Sequence, residues 1–417
     1  MSDNISGWFP YGRNNTSGWR FDAVSLIAVL GESLIARHIQ PLSASKWCLL
    51  PRLIPAPQSF LLATRPPRLP SSPATVCGVH SKTVVDELNY FADIMHSASE
   101  MKAFQVAVFR VELANLRSRM TRRSRTFMTV RHSNTQLDDE FHYQKHHALI
   151  PPASMSPLNA LTVVSCLITI GAFVWAFLVQ DGGAALALAT MSFASILIGI
   201  ASYWTPLLAK RPTKSLVIEG DVVLRSRQGA FVIIECSEEV ARELYTGPEE
   251  CLYMVGSQWF NLLVGIGTIL VMISVVLLGN CNWTMQVVIV GIYTLLNSFY
   301  WLVALLPKQW LWDMSRYHCE DITPERMKNA GVKGPNETPS FTRSLWFAIQ
   351  VTKETEWVSI SKAAPKTDAW DKWLRMAQEN CDNPDWDAVG EKNKLMEESV
   401  NIANRTPTPT PPTPEEV

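Results

Sequence analysis

Charged side chains are almost absent from two long stretches of this chain. Residues 251–307 contain no Asp, Glu, Lys or Arg, and the only charged residue in 157–209 is Asp181. A helix of about 20 apolar residues crosses a bilayer, so each stretch has room for two spans and a short turn. We therefore predict an α-helical membrane protein with a four-helix transmembrane bundle. The bundle would consist of two hairpins, residues 151–209 and 251–307, with spans near 158–180, 185–207, 258–279 and 285–307.

Residues 210–250, between the two hairpins, show a different pattern. The runs LVIEGDVVLRS and GAFVIIEC are rich in β-branched residues and are separated by Arg227-Gln228-Gly229, which predicts a β-hairpin. The run SEEVARELYTG follows, and Ser237 in front of two glutamates is typical of a helix start. These signals predict a small α+β cytosolic insertion.

The N-terminal region, residues 1–85, is predicted to be mostly disordered. Residues 33–85 contain no acidic residue and are rich in Pro, Ser, Arg and Leu, a composition that does not favour a packed core. A translated intron would have a similar composition. Residues 23–36 are apolar but short and include Glu32. We interpret them as a short interfacial or packed helix, and a fifth span is the alternative.

Residues 86–150 are predicted to form an amphipathic helix followed by a basic and His-rich juxtamembrane segment. Apolar residues between Leu88 and Leu116 recur mostly at steps of three and four, and an arginine-rich run ends the pattern near residue 130. Such a helix either lies on an anionic membrane surface or packs on its own protein, and the sequence supports both equally. His142 and His146 are four residues apart, but Tyr143 stands where a helical HExxH zinc motif requires Glu.

Residues 308–404, after the last span, are predicted to form a cytosolic helical region. The run KQWLWDMSRY places aromatic rings beside Lys308 and Arg316, a pattern typical of a headgroup anchor. Three helices are predicted in PSFTRSLWFAIQ, DAWDKWLRMAQ and NPDWDAVGEKNKLMEESV. Residues 405–417 are a Pro/Thr-rich tail. Four threonines in the tail precede proline and are candidate phosphorylation sites: Thr406, Thr408, Thr410 and Thr413.

Composition and motifs argue against several functions. The net charge of −1 does not favour nucleic-acid binding, and the eight cysteines form no CxxC pair. The sequence contains no P-loop, GxSxG or HExxH motif. We therefore predict no catalytic residue, no cofactor and no metal site, and an enzyme ranks third among the functions considered.

Several segments resemble an uncharacterised family of multi-pass membrane proteins from filamentous fungi. They lie between about Pro151 and Asn380 and read KRPTKSLVIEGDVVLRSRQGAFVIIEC, ARELYTGPEECLYMV, GNCNWTMQ, PKQWLWDMSRY, PSFTRSLWFAIQ and AAPKTDAWDKWL. The resemblance implies a multi-pass membrane protein and no particular activity. Residues 33–85 lie outside this resemblance.

The leading functional hypothesis is a non-enzymatic membrane scaffold or accessory protein. Its partners would be the lipid bilayer and a protein bound on the cytosolic face. The alternative is a small transporter or channel subunit that acts as an oligomer. Ion-coupled transporters usually keep an ionisable residue within the membrane, and the four predicted spans contain none, which weakens that alternative.

A polar layer is predicted at the middle of the spans, formed by Thr169, Ser195, Thr268 and Asn297. Serine and threonine hydroxyls can bond to the carbonyl four residues earlier in their own helix. The Asn297 amide has more donors and acceptors than its own helix satisfies. We therefore predict a bond from Asn297 to Thr268 or Thr169, and a loss of thermal stability in Asn297→Leu.

Basic residues predict the orientation of the bundle, because Lys and Arg flank the cytosolic ends of spans. They precede the first span, occur in 210–250 and follow the fourth span at Lys308, whereas the turns at Asp181 and Asn282 contain none. We expect both termini to be cytosolic. A glycosylation sequon inserted into 210–250 should stay unmodified, whereas one in a lengthened turn at Asn282 should be glycosylated. Glycans on the natural sequons at Asn14 or Asn15 would contradict the cytosolic N-terminus and support the fifth span.

Overall fold

A computed structural model describes residues 39–53, 65–114, 148–208, 219–328 and 339–405 of the chain. Its helices are α1 Ile39–Ser43, α2 Tyr90–His96, α3 Pro157–Leu178, α4 Gly182–Ser202, α5 Glu238–Val240, α6 Ser257–Gly279, α7 Trp283–Ala304, α8 Glu325–Lys328, α9 Phe341–Thr352, α10 Glu356–Ile360, α11 Asp368–Glu379 and α12 Ala388–Arg405. Its strands are β1 Ser72–Gly78, β2 Val84–Leu88, β3 Val106–Leu113, β4 Ala148–Leu149, β5 Trp204–Leu208, β6 Val222–Ser226, β7 Phe231–Cys236, β8 Glu249–Tyr253 and β9 Tyr317–Asp321. Residues Lys46–Leu49 form a 3-10 turn, and Ala241–Thr246 form a π-helix.

The chain divides into two compact units, each assembled from three separate stretches. Unit 1 combines Met1–Leu69, Leu149–Leu207 and Glu249–Met314. Unit 2 combines Pro70–Ala148, Leu208–Pro248 and Ser315–Val417. The apolar blocks of the sequence therefore fall in unit 1, and the segments that flank them on both sides fall in unit 2.

Unit 1 contains four helices that are long and apolar enough to cross a membrane, namely α3, α4, α6 and α7. The side chains of Ser156 and Asp181 accept hydrogen bonds from backbone N–H groups in the first turns of α3 and α4, which sets where these helices begin. The predicted span at 185–207 is too long, because α4 ends at Ser202 and β5 follows. Pro206 explains this difference, since the residue before a proline disfavours the helical conformation.

Small residues let α4 and α6 approach closely. The Ser274 hydroxyl donates a hydrogen bond to Ala187 O at 2.9 Å. A Cβ on Gly267 would lie 2.9 Å from Ile198 Cγ1, so a larger residue would require the Ile198 side chain to move. This is the packing expected of small residues between apolar helices.

Contacts at both ends fix α7 beside α3. Asn282 N, in front of α7, donates a hydrogen bond to Asp181 Oδ2 at 2.8 Å, just after α3. At the other end, Pro152 pairs with Trp312 and Asp313 N donates to Pro151 O at 2.9 Å. The start of each helix therefore lies near the end of the other.

Unit 2 is built on a six-stranded sheet with the order β2-β1-β6-β7-β3-β9. Neighbouring strands are antiparallel except β7 and β3, which are parallel. The predicted hairpin is confirmed as β6 and β7, with Val223 opposite Ile233. Gly229 in its turn has a φ of 77°, a conformation that favours glycine. These strands are not a separate small insertion, because they form the centre of a sheet whose other strands come from before α3 and after α7.

The predicted amphipathic helix over residues 86–130 is wrong in its described part. Val84–Leu88 form β2, Tyr90–His96 form the short α2, and Val106–Leu113 form β3. The run VAVFRV is apolar at every position except Arg110, so its pattern does not exclude a strand, and β-branched residues favour one. The parallel pairing of Val108 with Ile233 decides between the two periodicities. The arginine-rich run and His142 lie outside the described residues.

The predicted disorder of residues 33–85 is also wrong in the described parts. Ser72–Gly78 form β1 between β2 and β6, and Val76 and Cys77 are buried there. Residues 39–53 pack within unit 1. Composition averages over a whole stretch, whereas burial of β1 depends on a few small and apolar residues and on a partner strand far along the chain.

Buried side chains cover both faces of the sheet in unit 2. On one face, residues of β3 and β7 pack with the C-terminal helices: Val106, Val108, Phe231 and Ile233 with Leu345, Trp357, Trp373 and Leu374. On the other face, the Phe109 ring lies 4.8 Å from the His96 ring of α2. The predicted C-terminal helices are confirmed as α9, α11 and α12, and they supply one of the two layers.

A buried ion pair ties the π-helix to β9. Glu243 is 1% exposed and accepts hydrogen bonds from Arg316 Nε at 2.8 Å and from Tyr317 OH at 2.6 Å. Burial, reinforced by the Glu243 carboxylate, raises the pKa of Tyr317. The predicted headgroup anchor is therefore wrong for Arg316 and Tyr317, because both side chains bond within unit 2.

His96 makes the stability of unit 2 depend on pH. Its Nε2 atom lies 2.6 Å from Tyr245 OH, and burial lowers the pKa of His96 to about 4. The unfolded chain binds a proton near pH 6.5, but the folded chain does not until about pH 4. The contribution of His96 to stability is therefore complete above about pH 6.5 and is lost as the pH falls towards 4, a change of about 3 kcal/mol.

We expect His96→Gln to reduce this pH dependence. The thermal midpoint of the purified protein should fall less between pH 7 and pH 4.5 in His96→Gln than in the unsubstituted chain. The exposed His318 provides the matched control, and His318→Gln should keep the original dependence. Equal slopes for His96→Gln and the unsubstituted chain would contradict the assignment.

Candidate functional site

The segment of residues 39–53 runs along α4, from just past its end towards its middle. Trp204 Nε1 donates hydrogen bonds to Gln40 O at 3.2 Å and to Ser43 Oγ at 2.9 Å. Farther into the helix, the Ser195 hydroxyl donates to Leu50 O at 3.4 Å. The segment is therefore hydrogen-bonded both to Trp204, just after the end of α4, and to Ser195 within α4.

Gly199 and Thr169 let this segment enter between the helices. A Cβ on Gly199 would lie 2.5 Å from Cys48 O, so only glycine permits the approach. Leu53 N donates a hydrogen bond to Thr169 Oγ1 at 3.1 Å. Residues 50–53 are not helical, and non-helical backbone among apolar helices needs such partners because lipid offers none.

Arg52 is the unexpected residue of this segment. It is 3% exposed, and its Nε and Nη1 atoms are buried without a hydrogen-bond partner in the described part of the chain. None of the ion pairs between described residues includes it. Removing a charged group from water costs several kcal/mol unless a partner compensates. A buried guanidinium with free donors is therefore a strong candidate for binding an anion.

Helices α3 and α7 of unit 1 contain three further buried polar atoms that lack a hydrogen-bond partner among the described residues. They are Ser165 Oγ on α3 and Asn297 Oδ1 and Tyr300 OH on α7. Ser165 and Tyr300 are completely buried. Polar atoms left bare in an apolar interior are costly, and natural proteins rarely keep several of them together.

Helix geometry places Ser165 and Asn297 at a similar level. The paired ends of α3 and α7 meet at Pro152 and Trp312. At 1.5 Å per residue, Ser165 lies about 12 Å along α3 from that end and Asn297 about 11 Å along α7. Arg52 precedes Leu53, which bonds to Thr169 one turn beyond Ser165. We refer to Arg52, Ser165, Asn297 and Tyr300 as the buried polar centre.

In the predicted polar layer, the two threonines bond to their own helices as their hydroxyls can, whereas Asn297 and Ser195 have partners that were not expected. Thr169 Oγ1 donates to Ser165 O and Thr268 Oγ1 to Val264 O, each within its own helix. Asn297 Nδ2 likewise donates to Tyr293 O at 2.8 Å. The predicted bond from Asn297 to Thr268 or Thr169 is therefore not formed. Ser195 bonds to Leu50, a residue that the sequence pattern had not associated with the spans.

Sequence reasoning missed Arg52 because the search for charge covered only the four spans. The local signal is the run CLLPRLIP, in which apolar residues surround the arginine on both sides. Such a run is rare in a solvated linker. Its composition resembles that of a buried segment more than that of a disordered one.

A cavity of about 160 Å³ lies beside Pro51 and Thr169, next in sequence to Arg52 and one turn along α3 from Ser165. Its lining is mainly apolar and includes Pro51, Thr169, Phe173 and Ser192. Pockets for organic ligands usually measure about 300–1,000 Å³. This cavity is too small for an organic substrate, and neither Arg52 nor the other residues of the buried polar centre line it.

Unit 2 has a larger groove of about 820 Å³ at the β6–β7 turn. Asp86, Phe104, Arg225, Arg227 and Phe341 are among its lining residues. Arg225 Nη1 donates to Lys362 O at 3.0 Å, and burial lowers the pKa of Arg225. The exposed Arg227 leaves the groove with a charged rim.

The other candidate residues add no site to these two. Asn14 and Asn15 and the four tail threonines Thr406, Thr408, Thr410 and Thr413 lie outside the described residues. Within the described ranges, no group of three His, Cys, Asp or Glu side chains could hold a metal ion.

The chain matches no protein-family model, no curated protein and no solved structure. The resemblance to fungal membrane proteins therefore stays a prediction. Function has to be argued from the geometry of the chain itself.

The structure reverses the expected effect of Asn297→Leu. The substitution removes Asn297 Oδ1, a buried oxygen without a partner among the described residues, whose burial costs about 1–3 kcal/mol. The only hydrogen bond lost is the one from Asn297 Nδ2 to Tyr293 O in the same helix. In detergent and low-salt buffer we expect the thermal midpoint to stay equal or rise. Thr169→Val, which leaves Leu53 N unpaired, should lower it. A similar fall in both variants would show that Asn297 Oδ1 has a partner.

Proposed function

We propose that this chain is a multi-pass membrane protein that conducts or transports a small anion through its four apolar helices. The main observation in support of this proposal is Arg52, a buried residue whose guanidinium Nε and Nη1 donors have no partner among the described residues. Ionisable groups inside a membrane usually mark an ion or substrate pathway. A transporter or channel, which was the alternative in the sequence analysis, becomes the leading hypothesis. The four spans contain no charged residue, but residues 39–53 supply one in Arg52.

The sheet of unit 2 supports two membrane hairpins. Its strands come from before α3, from between α4 and α6, and from after α7. Strands of one sheet lie on the same side of a membrane. Each pair of apolar helices must then cross the membrane and return. This agrees with the basic residues that flank the spans, which favour the cytosolic side for unit 2 and for the C-terminus.

The chemistry of Arg52 favours an anion over a proton or a cation. A guanidinium stays charged at all physiological pH values and offers five N–H donors. It therefore repels cations and cannot act as a proton relay. The Ser165 hydroxyl on α3 is a further donor without a partner among the described residues. The cavity of about 160 Å³ beside Pro51 is too small for an organic anion, which favours an inorganic anion of the size of chloride or nitrate.

A membrane-anchored binding module is the second candidate, and the groove in unit 2 favours it. Its volume of about 820 Å³ lies in the usual range for organic ligands, and both charged and aromatic side chains line it. In this reading the cytosolic groove recruits a partner to the membrane, as in the scaffold hypothesis, and Arg52 has a structural role only.

Anion flux into liposomes distinguishes the two functions. Purified protein is reconstituted into vesicles that contain a chloride-sensitive dye, and the rate of quenching is measured. We expect flux from the unsubstituted protein and at least a tenfold lower rate for Arg52→Met. Methionine should preserve the fold, because replacing a buried charge by an apolar side chain of similar volume is often neutral or stabilising.

Lys46→Gln is the matched control for this measurement. Lys46 lies on the same segment and carries the same charge, but it is exposed. Its substitution should leave the flux unchanged. Chloride should also raise the thermal midpoint of the unsubstituted protein and not that of Arg52→Met. If the unsubstituted protein conducts neither chloride nor nitrate, transport is wrong and the binding module becomes the better explanation.

A further inference from the structure

A second basic pocket lies in unit 1, where β8 leads into α6. Its volume is about 640 Å³. Arg65, Arg68, Tyr253 and Phe260 are among the lining residues. The pocket is separate from the buried polar centre, since the two share no lining residue.

Arg65 is held in a fixed orientation by aromatic rings. Its guanidinium carbon lies 4.4 Å from the centre of the Tyr253 ring and 4.3 Å from that of Phe260. Nη1 donates a hydrogen bond to Val255 O at 2.7 Å. Stacking on rings orients the plane of a guanidinium and leaves its other N–H groups available for an oxyanion.

Charge in the pocket is mainly positive. Arg68 is exposed, and neither arginine forms an ion pair with any described residue. Glu250 also lines the pocket, so two positive charges face one negative charge. The first turn of α6 begins at Gly256 without a side-chain cap, and its free N–H groups add positive potential.

We propose that this pocket binds the phosphate group of an anionic lipid. Two arginines with free donors match the chemistry of a phosphate, which a lipid headgroup and free inorganic phosphate share. The lipid is favoured because the neighbouring Met254 and Trp259 are 58% and 65% exposed. Exposed apolar and Trp side chains beside a basic site are typical of the headgroup level of a membrane.

The proposal rests on the membrane-spanning part of the proposed function, because it requires α6 to enter the bilayer beside the pocket. It does not rest on Arg52 or on anion flux. The two ideas can therefore fail separately, and each has a variant that leaves the other intact. Arg68→Gln should keep the flux, and Arg52→Met should keep lipid binding.

Lipid binding is measured on the full-length protein in detergent by its Trp fluorescence. The probes are dioctanoyl phosphatidic acid, dioctanoyl phosphatidylcholine and inorganic phosphate. We expect saturable binding of phosphatidic acid and an affinity at least about tenfold lower in Arg65→Gln and in Arg68→Gln. Lys308→Gln is the control, because Lys308 is an exposed cation just after α7, outside the pocket.

Each outcome decides the proposal. Binding of phosphatidic acid, but not of phosphatidylcholine, that is weakened in both arginine variants supports the lipid site. If inorganic phosphate binds as tightly as phosphatidic acid and is weakened by the same two substitutions, the pocket is a site for free phosphate and the lipid assignment is wrong. Phosphatidic acid that does not bind, or that binds equally well to Arg68→Gln, overturns the proposal. Arg68→Gln alone suffices for this decision, because that exposed side chain is not needed for folding.

Discussion

The arrangement of unit 1 depends on the need to satisfy non-helical backbone between apolar helices. Residues 50–53 have no helix of their own, so α3 and α4 must provide their hydrogen-bond partners. Ser195 and Thr169 do so, and Gly199 removes the side chain that would block the approach. Gly199, Ser195 and Thr169 therefore serve the inserted segment, whereas Ala187 and Gly267 serve the contact between α4 and α6.

Insertion of this segment changes the chemistry available to unit 1. Four apolar helices without charge can bind lipid and one another, but they offer nothing that could attract an ion. A single arginine, carried in by backbone that is not part of any span, provides that attraction. Because the guanidinium keeps its charge, the site is permanently positive. In the proposed function, selection among anions would depend on their size.

The sequence predicts features that depend on local patterns and misses those that depend on distant partners. The four long helices, the β6–β7 turn at Gly229 and the C-terminal helices carry clear periodic signals. Residues 106–113 fit both a helix and a strand, and only pairing with β7 decides between them. The burial of Arg52 is less predictable still, because it requires Gly199, Ser195 and Thr169 to come together from two other helices.

The order of strands in the sheet has a consequence for biosynthesis. β9 is translated about 200 residues after β3, a delay of roughly 10–40 s at ~5–20 residues per second. In the proposed membrane topology, all four apolar helices leave the ribosome and insert during this time. A helix that failed to insert would then leave β9 on the other side of the membrane, and β3 would keep a bare edge open to aggregation. In that topology, completion of the sheet depends on the insertion of all four helices.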